Sequence, residues 1–267
     1  MPFRQRSALL LLIPAGTALL LILLPLIGLI TRAAGSDALE VLLKPVVRQA
    51  ITLSVFTSAI SVIVMLLFGM PLAYVYARWR FPFQRLIIAL TELPIVLPPA
   101  VAGLALLVTF GRRGLIGATL ADMGISIPFT TTAVVMAQTF VAVPYFIRSA
   151  QLGFQQVPRE IEEAARVDGA GGLTLFWRIT LPLSLRALTV GVAFGWARAL
   201  GEFGATILFA GSISGKTQTM PLLVYTILES DLDAALWTSL VLIAAALITL
   251  LLIQSLGQRS SDDYTSE

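Results

Sequence analysis

Residues 49–77 decide the fold: they read QAITLSVFTSAISVIVMLLFGMPLAYVYA and contain no charged side chain. A helix needs about 20 residues to cross the hydrocarbon core of a bilayer, so this run is long enough to span it. A transmembrane β-strand would instead alternate apolar and polar residues over about ten positions, and this run does not alternate. The stretch therefore predicts a transmembrane helix in an all-α membrane protein.

Five further stretches are similarly apolar, and the chain is expected to be a polytopic protein with six transmembrane helices. The predicted spans are 8–31, 49–77, 86–110, 128–148, 183–211 and 234–257. Only 12% of the residues are charged, against about 25% in soluble proteins, which excludes a soluble globular protein, a disordered chain and a collagen-like fibre. Residues 1–267 form one transmembrane domain, whose tail at 258–267 is predicted to be polar and disordered.

The first predicted span also has features of a signal peptide, because Arg4 and Arg6 precede it and small residues follow at 33–36. The apolar core of a signal peptide is about 7–15 residues long, whereas this run has 24. Its length favours a retained helix.

Lysine and arginine are distributed unequally between the two sides of the membrane. Eleven of the 18 basic residues lie on the side of the N-terminus and six on the other side, while Arg198 lies within a span. Because basic loops stay in the cytoplasm, both termini are predicted to be cytoplasmic.

The chain contains no cysteine and no histidine, which removes the cysteine nucleophile, the usual general base and the commonest neutral metal ligand. An intramembrane hydrolase would need an acid pair, and the only acidic candidates, Glu92 and Glu202, lie on different spans. We expect no catalytic residue, no metal site and no nucleic-acid partner. The chain is expected to be surrounded by the lipid bilayer.

The loop after the fourth span contains a short predicted helix over residues 158–168, within the sequence VPREIEEAARVDG at 157–169. Pro158 suits the first helical position, where its missing N–H costs nothing. Gly169 is expected to adopt the left-handed conformation that ends a helix.

One side of this helix is small and apolar, formed by Ile161, Ala164 and Ala165. Glu162 and Arg166 are expected to pair on the exposed side. A helix that binds a membrane surface usually combines basic residues with bulky apolar ones. The acidic character and small apolar side favour protein docking over membrane docking.

The run Glu163-Ala164-Ala165, followed by Gly169 and by ITLP at 179–182, resembles the EAA signature of ABC importer permeases. In that family the loop, here 157–182, is cytoplasmic and enters a cleft on an ATPase subunit. The resemblance implies a set of ATPase-coupling residues: Ile161, Glu163, Ala164, Ala165, Arg166, Asp168, Gly169, Ile179, Leu181 and Pro182.

Three more segments are similar to the molybdate, tungstate and sulfate branch of these permeases, and most of all to molybdate permeases: ELPIVLPPAVAG at 92–103, ARALGEFGAT at 197–206 and GKTQTMP at 215–221. The resemblance implies a type I importer fold in a bacterial or archaeal cytoplasmic membrane. The implied partners are a second copy of the chain, two cytoplasmic ATPase subunits and an extracytoplasmic oxyanion-binding protein.

The same resemblance implies that ATP and Mg²⁺ bind to the ATPase subunit, so no cofactor is expected in this chain. Consistent with that assignment, the sequence has no Gly-x-x-x-x-Gly-Lys-Ser/Thr loop to hold phosphates. The choice among molybdate, tungstate, sulfate and thiosulfate stays open at this point.

Arg198 and Glu202 lie one helical turn apart within the fifth span. Either charge alone near the bilayer centre costs about 2.5–3.5 kcal/mol, so both are expected to face the protein interior. A structural pair and a pathway or gate element are equally supported. Gly201 and Gly204 are expected to permit close approach to the backbone.

Thr206 and Ser212 are predicted to form a weakly polar pathway wall. In the third span, Pro94, Pro98 and Pro99 interrupt helical hydrogen bonding. A broken helix that lines the pathway is favoured over a simple kink. The alternative of an ion-coupled secondary transporter is disfavoured, because the sequence lacks two matched halves.

Overall fold

Helices account for all the regular structure between residues 3 and 263, the part of the chain that the computed structural model describes; side chains are described over 12–251 and 253–255. The predicted all-α class is confirmed. In chain order the helices are α1 (Phe3–Ala33), α2 (Ala38–Leu43), α3 (Pro45–Val64), α4 (Met70–Arg78), α5 (Gln84–Val96), α6 (Pro99–Phe110), α7 (Gly117–Asp122), α8 (Thr131–Gln156), α9 (Arg159–Val167), α10 (Gly172–Leu175), α11 (Leu181–Leu200), α12 (Gly204–Phe209), α13 (Met220–Ile227) and α14 (Leu232–Asp263).

Two short π-helical segments make longer continuous helices out of neighbouring elements. Met65–Gly69 joins α3 to α4, and Phe176–Thr180 joins α10 to α11. Within the described residues, five helical stretches are long and apolar enough to cross a membrane: Leu12–Ala33, Pro45–Arg78, Thr131–Gln156, Gly172–Leu200 and Leu232–Ser255.

The third predicted span is two helices, because α5 and α6 meet at an angle of 114°. Ile88 of α5 packs near the C-terminal end of α8, in the cluster that contains Ala150. Leu106 of α6 packs near the N-terminal end of α8, in the cluster that contains Ala133. The bent pair thus contacts α8 near both of its ends, and the described residues contain up to six spans if the pair counts as one.

Small residues allow α8 to lie at the centre of the bundle. Its buried alanines include Ala133, Ala137, Ala142 and Ala150, all with no exposed surface. Helix α8 contacts α3, α4, α5, α6, α11 and α12. Because small side chains let helix backbones approach closely, this composition favours tight packing in a bilayer, where the hydrophobic effect does not drive helices together.

Buried hydroxyl groups on α3 connect it to its neighbours. The Trp196 indole N–H of α11 donates to the Ser58 hydroxyl at 3.0 Å, and the Ser61 hydroxyl donates to the Gln138 side-chain oxygen of α8 at 3.3 Å. Such bonds between membrane helices contribute about 0.6 kcal/mol each on average. They fix how α3 is rotated relative to α8 and α11.

Helix α14 continues to Asp263, so it includes residues 258–263 of the predicted polar tail. No proline follows Gly257 to stop the helix, and each added residue completes another backbone hydrogen bond. The rest of the predicted tail, 264–267, lies outside the described residues.

Candidate coupling loop and translocation pathway

Helix α9 forms where the loop sequence predicts it, and it ends at the predicted glycine. Pro158 is the residue immediately before the helix, and Gly169 has a left-handed φ of +88°. The N–H of Gly169 donates to the Arg166 carbonyl at 3.0 Å, and the N–H of Ala170 donates to the Ala165 carbonyl at 2.9 Å. This pair of bonds satisfies the last carbonyls of the helix and turns the chain sharply.

The outer side of α9 is largely not covered by other parts of the chain. Ile161 is 43% exposed, Ala164 is exposed and Ala165 is half-buried. Two further apolar side chains that the sequence reasoning missed are also exposed: Val167, the last residue of α9, is 87% exposed, and Leu173 of α10 is 78% exposed. Several large exposed apolar side chains in one short segment are typical of an interaction site.

The other residues of the EAA signature occupy two kinds of position. Glu163, Arg166, Asp168 and Pro182 are exposed, whereas Ile179 and Leu181 are half-buried. Leu181 packs against the bundle core beside Phe154. The second half of the signature therefore attaches the loop to the bundle, while the first half remains available to a partner.

The predicted surface pair of Glu162 and Arg166 is wrong. The Glu162 side chain is 4% exposed, and its carboxylate lies 2.7 Å from the Arg78 guanidinium at the end of α4. The Thr180 hydroxyl donates to the same carboxylate oxygen at 2.8 Å. An exposed pair along a helix contributes only about 0.3–0.5 kcal/mol, so it does not compete with this charge-assisted network.

At the other end of α11, Arg198 and Glu202 form the predicted pair. Their side chains approach to 2.7 Å, with Arg198 28% exposed and Glu202 only 1% exposed. The second carboxylate oxygen of Glu202 accepts the Ala205 N–H at 2.8 Å. Both oxygens are thus engaged within the chain, and this geometry favours structural pairing over direct substrate contact.

Two helix breaks meet beside this pair, one between α5 and α6 and one between α11 and α12. A side chain on Gly204 would place its Cβ 2.5 Å from Pro99, and one on Gly103 would lie 2.8 Å from the Ala205 carbonyl. The close approach predicted at Gly204 is confirmed, and sequence reasoning missed Gly103. Gly201 is exposed and no neighbouring helix packs closely against it, so the close helix contact is found at Gly204 and not at Gly201.

The three prolines of the third span behave differently from one another. Pro98 and Pro99 stand at the break and are exposed, with Pro99 opening α6. Pro94 lies inside α5 and removes one N–H there without ending the helix, which continues to Val96. The helix break that the prolines predict is therefore confirmed at residues 97–98, between α5 and α6, but not at Pro94.

Thr206 and Ser212 were predicted to form a pathway wall, and the structure places neither as fully exposed. Thr206 is completely buried, because α12 packs it into the bundle, so it does not line a wall here. Ser212 is half-buried and its hydroxyl accepts the Gln218 amide at 3.2 Å. Of the predicted pathway residues, Pro98, Pro99 and Gly201 are exposed at the breaks.

Known proteins share both the sequence and the architecture of this chain. It is 42% identical over 239 residues to the molybdenum transport system permease protein ModB of Mycobacterium tuberculosis, covering 90% of each chain. It is 36% identical over 252 residues to the sulfate transport system permease protein CysT of Escherichia coli, covering 91% of each.

A solved bacterial ABC transporter that imports the acidic polysaccharide alginate has a chain with the same fold, at a TM-score of 0.73 and 16% identity, covering 97% of this chain and 96% of that one. Residues 65–261 match the family described as binding-protein-dependent transport system inner membrane component. The chain therefore belongs to the family of inner membrane components of binding-protein-dependent transport systems.

Proposed function

We propose that this chain is the permease subunit of an ATP-driven importer for a small tetrahedral oxyanion, with molybdate as its substrate. The observation that carries the proposal is the similarity to ModB, at 42% identity over 90% of both chains. Sulfate is the second candidate, because the CysT relative is 36% identical over 91% of this chain.

Coupling to ATP is assigned to α9. Its exposed apolar side chains, Ile161 and Val167, together with Leu173 of α10, are assigned to contact with an ATPase partner, and ATP and Mg²⁺ bind to that partner rather than to this chain. The left-handed Gly169 fixes the direction in which the chain leaves the contact. We assign docking to the signature residues Ile161, Glu163, Ala164, Ala165, Arg166 and Asp168.

The translocation pathway is assigned to the surface at the two helix breaks. The pair of Arg198 and Glu202, 2.7 Å apart, lies beside these breaks and is engaged within the chain, so we assign it to holding the break and not to contact with the anion. The exposed Pro98, Pro99 and Gly201 leave an uncharged surface beside this pair.

The assembly that fits this assignment contains two copies of the chain, two cytoplasmic ATPase subunits and an extracytoplasmic binding protein that delivers the oxyanion. The distribution of basic residues supports cytoplasmic termini, with α9 on the same side. The chain then lies in a bacterial or archaeal cytoplasmic membrane.

The test is uptake into proteoliposomes that contain the permease and its ATPase, with the binding protein outside and ATP inside. We expect radiolabelled molybdate to accumulate only when ATP and both partners are present, and excess sulfate to compete weakly. Uptake that survives omission of the ATPase would overturn the proposal in favour of an ion-coupled carrier. Preferential uptake of sulfate would replace the substrate.

A further inference from the structure

A buried group of polar side chains lies on the inner side of α9, away from the exposed docking surface. Arg78 donates through one nitrogen to Glu162 at 2.7 Å and to the Val157 carbonyl at 3.1 Å, and Thr180 donates to Glu162 at 2.8 Å. We call Arg78, Val157, Glu162 and Thr180 the inner clamp. It joins the end of α4, the connection from α8 to α9, α9 itself and the start of α11.

We propose that the inner clamp positions α9 for coupling, so that a displacement imposed on α9 moves α4 and α11 with it. This inference rests on the proposed function and deepens it. Arg78, Glu162 and Thr180 are positioning residues here: they carry the movement and touch neither ATP nor the transported anion.

The composition of the clamp supports a role other than stability. Its two charged side chains are 8% and 4% exposed, and burying an ion pair removes both charges from water. The buried Nε of Arg78 has no hydrogen-bond partner among the described atoms, which adds a further penalty. Apolar residues of similar volume often stabilise such a position at least as well.

Directional hydrogen bonds restrict the sliding of one helix along another, which apolar packing does not. Helices that touch only through apolar side chains slide past one another in small shear movements. A carboxylate held by a guanidinium and a hydroxyl from two different helices resists displacement along either one. The clamp therefore favours movement of the joined elements as one body.

Aromatic packing supports the clamp from the bundle side. Tyr74 of α4 lies with its ring centroid 5.5 Å from Phe154 of α8 and 5.0 Å from Phe176, in the π-helical segment before Thr180. The edge-to-face rings thus join α4 to α8 and to the π-helical segment, and the hydrogen bonds of the clamp add α9 to this group. From Thr180, α11 leads to its end at Leu200, beside the break that contains Glu202.

The test compares Glu162→Gln with Glu160→Gln, an exposed acid on the same helix. Glutamine retains an acceptor for Thr180 and removes the charge that holds Arg78. In proteoliposomes with ATPase, binding protein and molybdate, we expect Glu162→Gln to lower the molybdate imported per ATP hydrolysed at least tenfold. The ATPase should remain bound and Glu160→Gln should match the wild type.

A normal transport ratio in Glu162→Gln would overturn the inference, and so would a fall fully matched by loss of bound ATPase. If this variant does not accumulate, Thr180→Val serves instead, because it removes one bond and leaves the ion pair. It should lower the ratio about threefold, and an unchanged ratio would likewise overturn the inference.

A second readout does not depend on the substrate. Spin labels on cysteines at Arg159 and Leu183, both exposed and outside the assigned docking residues, report the distance between α9 and α11 in a chain with no native cysteine. With labelled subunits diluted among unlabelled ones, the wild type should give one narrow distribution with and without ATP, and Glu162→Gln a broad one. Equal distributions would overturn the clamp. Absence of molybdate uptake by the wild type would count against the proposed function alone.

Discussion

Among the side chains that the structure describes, two arginine–glutamate pairs have the same closest distance, 2.7 Å, but connect residues at very different separations along the chain. Arg78 and Glu162 are 84 positions apart and join separate helices, whereas Arg198 and Glu202 are one turn apart at the end of a single helix. The first pair determines how elements move relative to one another. The second shapes a local break, because Glu202 also accepts the Ala205 N–H in the first turn of α12.

The pairs also differ in their access to solvent. Both side chains of the Arg78 pair are almost fully buried, at 8% and 4%, while Arg198 keeps 28% of its surface exposed. A charge that retains contact with solvent loses less when its partner is removed. Equal distances therefore do not imply equal energies, and substitutions should separate the two pairs.

The largest effect is expected from Arg78→Met, which leaves the Glu162 carboxylate buried without its counter-charge. Breaking a buried pair costs about 3–5 kcal/mol, so folded yield and the thermal unfolding temperature should fall strongly. Adding Glu162→Met should restore much of the loss, since no unpaired charge then remains. Arg80→Met, at an exposed arginine two positions along, is the control. If Arg78→Met alone is as stable as the wild type, water already solvates this pair.

A smaller loss is expected from Glu202→Gln. The amide oxygen still accepts the Ala205 N–H, and only the charged bond to Arg198 is lost, about 1.5–3 kcal/mol. Stability measured by thermal unfolding should fall, while molybdate imported per ATP stays at the wild-type value. Glu229→Gln changes an exposed acid and controls for the charge. Normal stability with altered import would instead place Glu202 on the pathway.

Substitutions on the outer side of α9 sharpen the contrast with its inner side. Ala164→Trp should weaken ATPase binding through overpacking, by about 1–3 kcal/mol, without affecting insertion of the spans. Gly169→Val should act similarly, because φ is +88° there and a β-branched residue is strained in that conformation. Pull-down of the ATPase at matched membrane levels measures both. Normal binding by both variants would remove this loop from the interface.

The smallest effect is expected at Lys44 and Asp231, a partly exposed pair 2.6 Å apart outside the spans. Hydrogen bonding to Lys44, then to the Ala234 N–H, holds the pKa of Asp231 below its ordinary value, and the bond to Asp231 raises the pKa of Lys44. The pair therefore stabilises the fold near neutral pH. This contribution is lost as pH falls through the lowered pKa of Asp231, and again as pH rises through the raised pKa of Lys44.

Lys44→Met should consequently lower the unfolding temperature slightly at pH 7 and make no difference once the pH has fallen below the lowered pKa of Asp231, where this carboxyl is protonated. Arg48→Met, at an exposed position one turn along, controls for the loss of a cation. A difference that persists unchanged at low pH would assign the effect to packing of the lysine chain.

Local patterns in the sequence were sufficient for features that depend on nearby residues. The apolar runs, the stop at Gly169 and the Arg198–Glu202 pair all follow from spacing within a few turns. The partner of Glu162 could not be predicted in this way, because nothing in the spacing of the sequence brings residue 78 near residue 162. Burial of Thr206 and the contact of Gly103 with Ala205 likewise depend on how α6 and α12 pack.

Coupling through the inner clamp is tested most directly by the molybdate imported per ATP hydrolysed for the wild type, Glu162→Gln and Glu202→Gln in matched proteoliposomes. If the inner clamp carries the coupling, the ratio for Glu162→Gln is at least tenfold below the wild type and the ratio for Glu202→Gln is unchanged. The reverse order, with Glu202→Gln impaired and Glu162→Gln normal, would contradict it.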